Sequence, residues 1–416
     1  MTRQPGLSSL PPLRIALFTY STKPRGGVVH TLALAEQLQA QGQQVHVFAL
    51  SNGQQDCFYR PTAVPFTLIP ALAPPAEEEP LDRRIQRYIE TYDHFLSQHR
   101  PGGFDIYHAQ DCISANALWR VREKGLLRAF ARTIHHLDDF VSPVLIKCQQ
   151  DSIDRPDYRL VVSHYWRDTL AREFGVSSTV IHNGVDVERF HPPSPTEQAT
   201  ARAEWKVTDR FVFTNIGGIE PRKNTICLLL AFQAIRPHLV ATGLKPVLLL
   251  AGGETLLDYR SYRAEFFHLL NHSGLEQGQD VFLLGTLSDS QIESLYQATD
   301  VFTFPSVKEG WGLVVLEAMA SKVPVLAADL PVFREYLQAG QNAMLIDPHD
   351  MATLVAAMRR LATEPLLRQR LAEAGLATAH AFSWATTARR HIEFYRELLA
   401  GSAADPAPQP DLMEKL

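Results

Sequence analysis

Two glutamates eight positions apart, Glu309 and Glu317, bracket a glycine-flanked tryptophan in the stretch VFTFPSVKEGWGLVVLEAMASKVPVLAAD (301–329). The β-formers Val301, Phe302 and Phe304, followed by Pro305-Ser306, predict a strand and its end. Gly310 and Gly312 flank Trp311, and Leu316, Met319 and Ala320 at i, i+3 and i+4 predict a helix over 313–321. Pro324 opens a second strand. Eight helical positions rise roughly 12 Å, which is only a scale because Glu309 precedes the helix. A helix start offers free N–H groups and the positive end of the dipole, and both suit an anion. Here the amides are those of Gly310, Trp311, Gly312 and Leu313, with a carboxylate on either side. The combination fits a phosphate ligand flanked by hydroxyl-rich groups. The plain alternative is an ordinary βαβ unit with both acids in solvent.

The chain that must position these groups has 416 residues, room for two or three domains. Its hydrophobic share of 45% is that of a globular protein. A net charge of −5 argues against a nucleic-acid partner. Cys57, Cys112, Cys148 and Cys227 have neither CxxC nor metal spacing, and read as reduced core thiols suited to the cytoplasm. The start, MTRQPGLSSLPPLR, has no long apolar run, and no stretch approaches the ~18 apolar residues of a membrane span. A soluble protein is expected.

RIALFTY (14–20) predicts a buried strand, STKPRGGVV a loop in which Gly26-Gly27 open a helix, and QVHVFAL the next strand. This is how a doubly wound parallel sheet begins. Lys23 and Arg25 add positive charge beside the glycine pair. Residues 71–100 read as an insertion: APPAEEEP leads into a charged helix with a solvated face, a candidate for ligand specificity. FDIYHAQ (104–110) places His108 and Asp111 at a strand end, and ARTIHHLDDF (131–140) does the same for His135 and His136. Open α/β sheets bind ligands at the carboxyl ends of their strands. Adjacent strand residues face opposite sides, so only one of the two histidines should reach a cleft. Ser163 is a helix cap candidate. STVIHNGVD (178–186) predicts a strand with a turn at Asn183-Gly184, and HPPSPTEQAT (191–200) reads as a linker. Beyond it, RFVFTNIGG (210–218), KPVLLLAGGE (245–254) and DVFLLGTLSD (280–289) predict strands of a second domain, with Lys223 just before a helix. Three helical segments close the chain, the last being WATTARRHIEFYRELLA (384–400).

The wording EGWGLVVLEAMA resembles the EX7E signature of the retaining glycosyltransferases of family 4, and HNGVD followed by ERFHP resembles that family's hinge. The likeness runs over almost the whole chain. It implies an α/β GT-B fold: two Rossmann-like doubly wound domains face a central cleft, and the C-terminal helix crosses back to the N-terminal domain. The domains expected are 1–190 on the acceptor side, with 382–400 packing back on it, and 191–381 on the donor side; 401–416 reads as a disordered tail. The resemblance implies sugar transfer from a UDP-, GDP- or ADP-sugar to a hydroxyl of a carbohydrate, lipid-linked or small-molecule acceptor. It implies retention of anomeric configuration with no cofactor and no metal ion, and a cytoplasmic site of action with peripheral contact at the inner membrane face.

The resemblance also assigns roles. Glu309 lies by the donor sugar, Glu317 holds the ribose, and Lys223 with Gly27 and the amides at 310–313 meets the diphosphate. Gly285 and Leu287 approach the nucleobase. His135, with His136 as alternate, points at the reaction centre, and His108, Asp111 and His136 line the acceptor side. Catalysis thus falls to His135, Glu309 and Lys223. One departure stands out: Gly218 occupies the place of the family's arginine, leaving Arg222 as the candidate substitute, with Glu220 nearby as an opposing charge. The alternatives are a non-enzymatic sugar-nucleotide-binding protein, for which Gly218 speaks, a sugar-nucleotide 2-epimerase of the same fold, and a transferase of another GT-B family.

Overall fold

Two all-parallel sheets carry the chain. The computed structural model describes residues 11–51, 57–72, 79–99, 103–253 and 259–403. The first sheet holds β1 (Arg14–Thr19), β2 (Gln44–Leu50), β3 (Phe66–Ile69), β4 (Ile106–Ala109), β5 (Ala131–Ile134), β6 (Tyr158–Val161) and β7 (Thr179–Val180), in the order β3-β2-β1-β4-β5-β6-β7. The second holds β8 (Phe211–Ile216), β9 (Pro246–Ala251), β10 (Val281–Gly285), β11 (Val301–Phe304), β12 (Val325–Ala328) and β13 (Met344–Ile346), in the order β10-β9-β8-β11-β12-β13. Both are doubly wound, with the strand order reversing beside β1 and beside β8, where such sheets bind ligands. The helices of the first domain are α1 (Gly26–Ala40), α2 (Leu81–His99), α3 (Cys112–Glu123), α4 (Pro143–Asp154) and α5 (His164–Phe174). Those that follow are α6 (Pro195–Glu204), α7 (Thr225–Ala241), α8 (Arg260–His272), α9 (Asp289–Ala298), α10 (Leu313–Ala320), α11 (Met351–Thr363), α12 (Pro365–His380) and α13 (Trp384–Ala403). Among the described residues no helix is long and apolar enough to cross a membrane.

Strand periodicity splits each core in two. On β1, Ile15 and Leu17 pack with Val28 and Leu32 of α1, while Ala16 and Phe18 pack with Ile85, Tyr92 and Leu118 on the other face. On β9, Val247 and Leu249 face one cluster and Leu248 and Leu250 the other. All six residues of β8 and of β9 are buried, as strands covered on both faces should be.

Four local expectations change. The prolines of 191–200 predict a linker, yet Pro195–Glu204 is helical. Ser194 accepts from the Glu197 amide while Glu197 accepts from the Ser194 amide, a capping box with Pro195 in the first turn. The strand expected over 178–186 is only Thr179–Val180, because the chain then leaves the sheet and Val185 N donates to Phe382 O at 3.0 Å. The charged helix of the 71–100 insertion is half core: α2 buries Ile85, Ile89, Tyr92 and Leu96, and Tyr92 OH lies 2.5 Å from Thr19 O; residues 73–78 lie outside the described residues. Of the expected core thiols only Cys148 is buried, since Cys57 falls in the exposed connection between β2 and β3. Residues 401–403 continue α13, and the rest of the expected tail lies outside the described residues.

The helix α13 docks on α1, with Ala388, Ile392 and Tyr395 in the core of the first domain. His108 explains part of this docking, and its expected place on the acceptor side is corrected. The ring is fully buried, with Nδ1 2.6 Å from Tyr395 OH and Nε2 2.8 Å from Thr133 Oγ1, so both nitrogens are spent on structure. It belongs to a set of packed histidines: His108 to His391 at 6.0 Å, His391 to His30 at 6.4 Å and His30 to His135 at 4.7 Å between ring centres. Burial holds all four neutral, with His30 pushed down to about 3 and His391 to about 4. The unfolded chain takes up these protons below about pH 6.5, whereas the folded chain resists them, so stability is lost as pH falls from there toward 4. His391→Asn should therefore lose less melting temperature than the parent between about pH 7.5 and about pH 5. Equal losses would remove the histidines from the account.

Candidate active site

The site forms where the loops after β5 and β11 touch. A Cβ on Gly310 would fall 2.3 Å from the His135 carbonyl oxygen, so only glycine allows this approach between the domains. Lys308 Nζ donates to Asp139 Oδ1 at 2.6 Å and Trp166 Nε1 donates to Glu309 O at 3.1 Å, both across the same seam.

Glu309 is the centre of a buried ionic cluster. Its Oε1 accepts from Lys223 Nζ at 2.7 Å and lies 3.0 Å from Arg222 Nη1. Arg222 also donates to Lys308 O at 3.2 Å, and its Nη2 is 3.8 Å from Glu220 Oε2. Lys223 Nζ stands 4.5 Å above the centre of the Phe304 ring, a cation–π contact. Burial pushes the Glu309 carboxyl up, but Lys223 and then Arg222 outweigh it and hold it at about 2. Burial, then Arg222, pulls the Lys223 ammonium down, while Glu309 keeps the guanidinium of Arg222 charged against its own burial. Burial raises the Glu220 carboxyl, which weakens the opposing charge that its position suggests. Gly218 holds φ at +78°, and a Cβ there would sit 3.0 Å from Gly253 O, which disfavours an arginine at that position. Arg222 brings a guanidinium to the cluster instead.

Glu317 lies one helix further on, in a different environment. Tyr296 OH is 3.0 Å from both Glu317 Oε2 and Val314 O. Burial pushes the Glu317 carboxyl up to about 7, against the pull of Arg189. Arg189 Nη1 is 2.9 Å from Asp289 Oδ2, and Arg60 Nε, from the first domain, is 3.4 Å from the same oxygen. Arg60 in turn holds both oxygens of Glu36 on α1, at 2.6 and 2.7 Å. Between the two acids, α10 starts at Gly312 with no side-chain cap, so its first-turn amides have no side-chain acceptor there.

The remaining predicted residues divide. The His135 ring lies beside Gly27, where a Cβ would come 3.9 Å from Cδ2, and its Nε2 is buried with no hydrogen-bond partner among the described residues. His136 instead places Nε2 3.2 Å from Asp138 Oδ1. Gly285 ends β10, two strands from β8, and is exposed, while Leu287 lies two residues beyond it, half-buried against the core. Trp311 does not offer its ring to a ligand: the indole is buried, stacked on His182 at 4.7 Å, and its carbonyl accepts from Tyr336 OH at 2.7 Å. Asp111 is corrected too. Its Oδ1 accepts from Ser114 N at 2.8 Å and its Oδ2 from Tyr20 N at 2.7 Å, so the carboxylate caps α3 and ties down the end of β1 instead of lining the acceptor side.

Sequence reading missed Tyr296, Arg189, Trp166 and His30. Arg189 stands in the quoted ERFHP, but nothing there points to Asp289 a hundred positions on. His30 is buried on α1, with Nδ1 2.9 Å from Asn183 Oδ1 of HNGVD. The raised Glu317 carboxyl generates a test. The folded state holds this proton more tightly than the unfolded chain, so ionisation costs stability as pH rises from about 4.5 through about 7. Glu317→Gln should therefore be more stable than the parent at about pH 8, by roughly 1–3 kcal/mol, and equally stable at about pH 5. A variant no more stable than the parent at the higher pH would contradict the half-buried, proton-holding carboxyl.

Residues 24–189 match the family described as Glycosyltransferase Family 4, and residues 197–378 match Glycosyl transferases group 1. The D-inositol 3-phosphate glycosyltransferase of Rhodococcus opacus is 25% identical over 412 residues, covering 92% of this chain and 90% of the relative. The O-antigen chain mannosyltransferase B of Escherichia coli is 27% identical over 280 residues, 64% of this chain and 70% of its own. Among solved structures, the sucrose-phosphate synthase of Thermosynechococcus elongatus superposes with a TM-score of 0.77 at 22% identity, over 94% of this chain and 100% of that one. The Anabaena HepE protein in complex with UDP and glucose gives 0.74 at 18% identity, over 92% and 99%. Two facing Rossmann-like domains, a crossing C-terminal helix and these two matches agree: the chain belongs to the family 4, or group 1, glycosyltransferases and has the GT-B fold.

Proposed function

We propose that this glycosyltransferase moves a sugar from a nucleoside-diphosphate sugar to an acceptor hydroxyl with retention of anomeric configuration and without a metal ion. The observation that carries this reading is the Glu309–Lys223–Arg222 cluster beside the uncapped start of α10. When the bond from the anomeric carbon to the phosphate oxygen breaks, positive charge develops on the sugar and negative charge on the leaving diphosphate. Lys223, Arg222, the Gly27 amide and the first amides of α10 stabilise that leaving group, the part a metal ion plays in other sites. Glu309 holds both cations through Oε1 and turns its other oxygen to the sugar hydroxyls. Glu317, once ionised, takes the two ribose hydroxyls. Neutral His135 lines the other face of the sugar. In front-face attack the departing phosphate oxygen receives the acceptor proton.

The named ligands of the structural relatives make UDP-glucose the first donor to try, since HepE is described with UDP and with UDP-glucose. The D-inositol 3-phosphate glycosyltransferases make a phosphorylated polyol the first acceptor; carbohydrate and lipid-linked hydroxyls follow. The test is release of nucleoside diphosphate from a panel of UDP-, GDP- and ADP-sugars with mixed acceptors, with and without a chelator. The expected result is turnover that the chelator does not abolish, lowered in kcat/KM by about 10²–10³-fold in Lys223→Ala. No release from any donor would favour a sugar-nucleotide-binding protein, and a product of inverted anomeric configuration would overturn retention.

A further inference from the structure

Away from the cluster at Glu309, three metal-competent side chains meet at the seam between the domains. His164 begins α5, His182 precedes the hinge turn, and Glu335 ends a short 3-10 turn of the second domain. One ligand atom from each lies within 4.8 Å of the other two. We propose that His164, His182 and Glu335 bind a single zinc-like divalent cation that ties the two domains together.

The chemistry of the donors points to that class of ion. Two imidazole nitrogens and one carboxylate are a zinc ligand set, and a fourth position is left for water. Metal–ligand bonds of about 2.1 Å in a tetrahedron require ligand atoms about 3.4 Å apart. His182 Nε2 and Glu335 Oε2 already stand 3.4 Å apart. His164 is exposed, so its ring has room to rotate the remaining distance. The other two ligands are held in place. His182 is stacked on the indole of Trp311 at 4.7 Å with 15° between the planes. Its Nε2 is buried and makes no hydrogen bond among the described residues. Glu335 is oriented by two backbone amides, His164 N to Oε2 at 3.0 Å and Tyr165 N to Oε1 at 2.9 Å. A carboxylate has about four acceptor positions, so these bonds leave lone pairs for a cation, and such outer contacts are what orient metal ligands. Two ligands belong to the first domain and one to the second, so the bound ion would fasten the seam that the Trp311 loop occupies.

The test uses the full chain, stripped of metal and titrated with Zn²⁺, then with Co²⁺ as a coloured substitute. The expected result is one ion per chain, visible absorption typical of four-coordinate Co²⁺, and a melting temperature that rises with metal. His164→Ala alters an exposed side chain and should fold as the parent does, yet lose at least about tenfold in affinity. Glu335→Gln should lose affinity and keep the shape of the fold. The exposed pair His268 and His272, whose rings lie 4.3 Å apart on α8, is the competing surface site and the control. The proposal is overturned if the parent takes up no ion at micromolar metal, if His164→Ala binds as tightly as the parent, or if only the double His268→Ala, His272→Ala variant loses uptake. None of these readouts depends on sugar transfer.

Discussion

A carboxylate removed from water costs several kcal/mol unless it is paired, and Glu309 meets that demand by drawing Lys223 and Arg222 onto itself. Those cations come from the turn after β8 and the carboxylate from the loop after β11, so one ionic contact joins the two neighbouring strands at the sheet's switch point. The same loop is held from the other side by Trp166 and by the His135 carbonyl packed on Gly310. Moving Glu309 would therefore release the lysine, the arginine and the seam together. Its buried charge fixes the positions of Lys223 and Arg222 at the seam.

The two acids of one motif are held in opposite states by their surroundings. Two cations keep Glu309 ionised throughout the physiological range, whereas burial leaves Glu317 close to half-protonated near neutral pH. Environments that push like groups apart commonly divide their roles. Glu309 suits permanent electrostatic work. Glu317, bonded to Tyr296 and short of cationic partners, suits a role that changes with its protonation.

Most strands of both sheets and the strand–loop–helix–strand unit at 301–329 were legible because period-2 and period-3.6 patterns and the turn residues depend on near neighbours, whereas the crossing of the last helix came from the family resemblance. The direction of a side chain at a strand end was not legible. A strand end shows which edge of the sheet His108 occupies, but its ring is claimed by Tyr395, 287 positions away. Asp111 was spent on the amide of Tyr20, 91 positions away, and on the start of α3. The helix at 195–204 is a different case: its capping box, Ser194 with Glu197, is a local signal inside a segment whose three prolines point to a linker. Gly218 could be seen as a departure; that the neighbouring Arg222 reaches the same carboxylate depends on a turn whose conformation no spacing reveals.

The chain passes between the domains twice, and the two passages touch. Val185 on the way out is bonded to Phe382 on the way back, and a Cβ on Gly184 would fall 2.1 Å from Trp384 N. Thr387 Oγ1 adds a bond to His182 O at 2.8 Å. A single connecting strand would act as a ball joint, free to twist in any sense. Two passages pinned side by side act as a door hinge, with one easy axis, and so resist the twist that would carry the loops bearing His135 and Gly310 out of register.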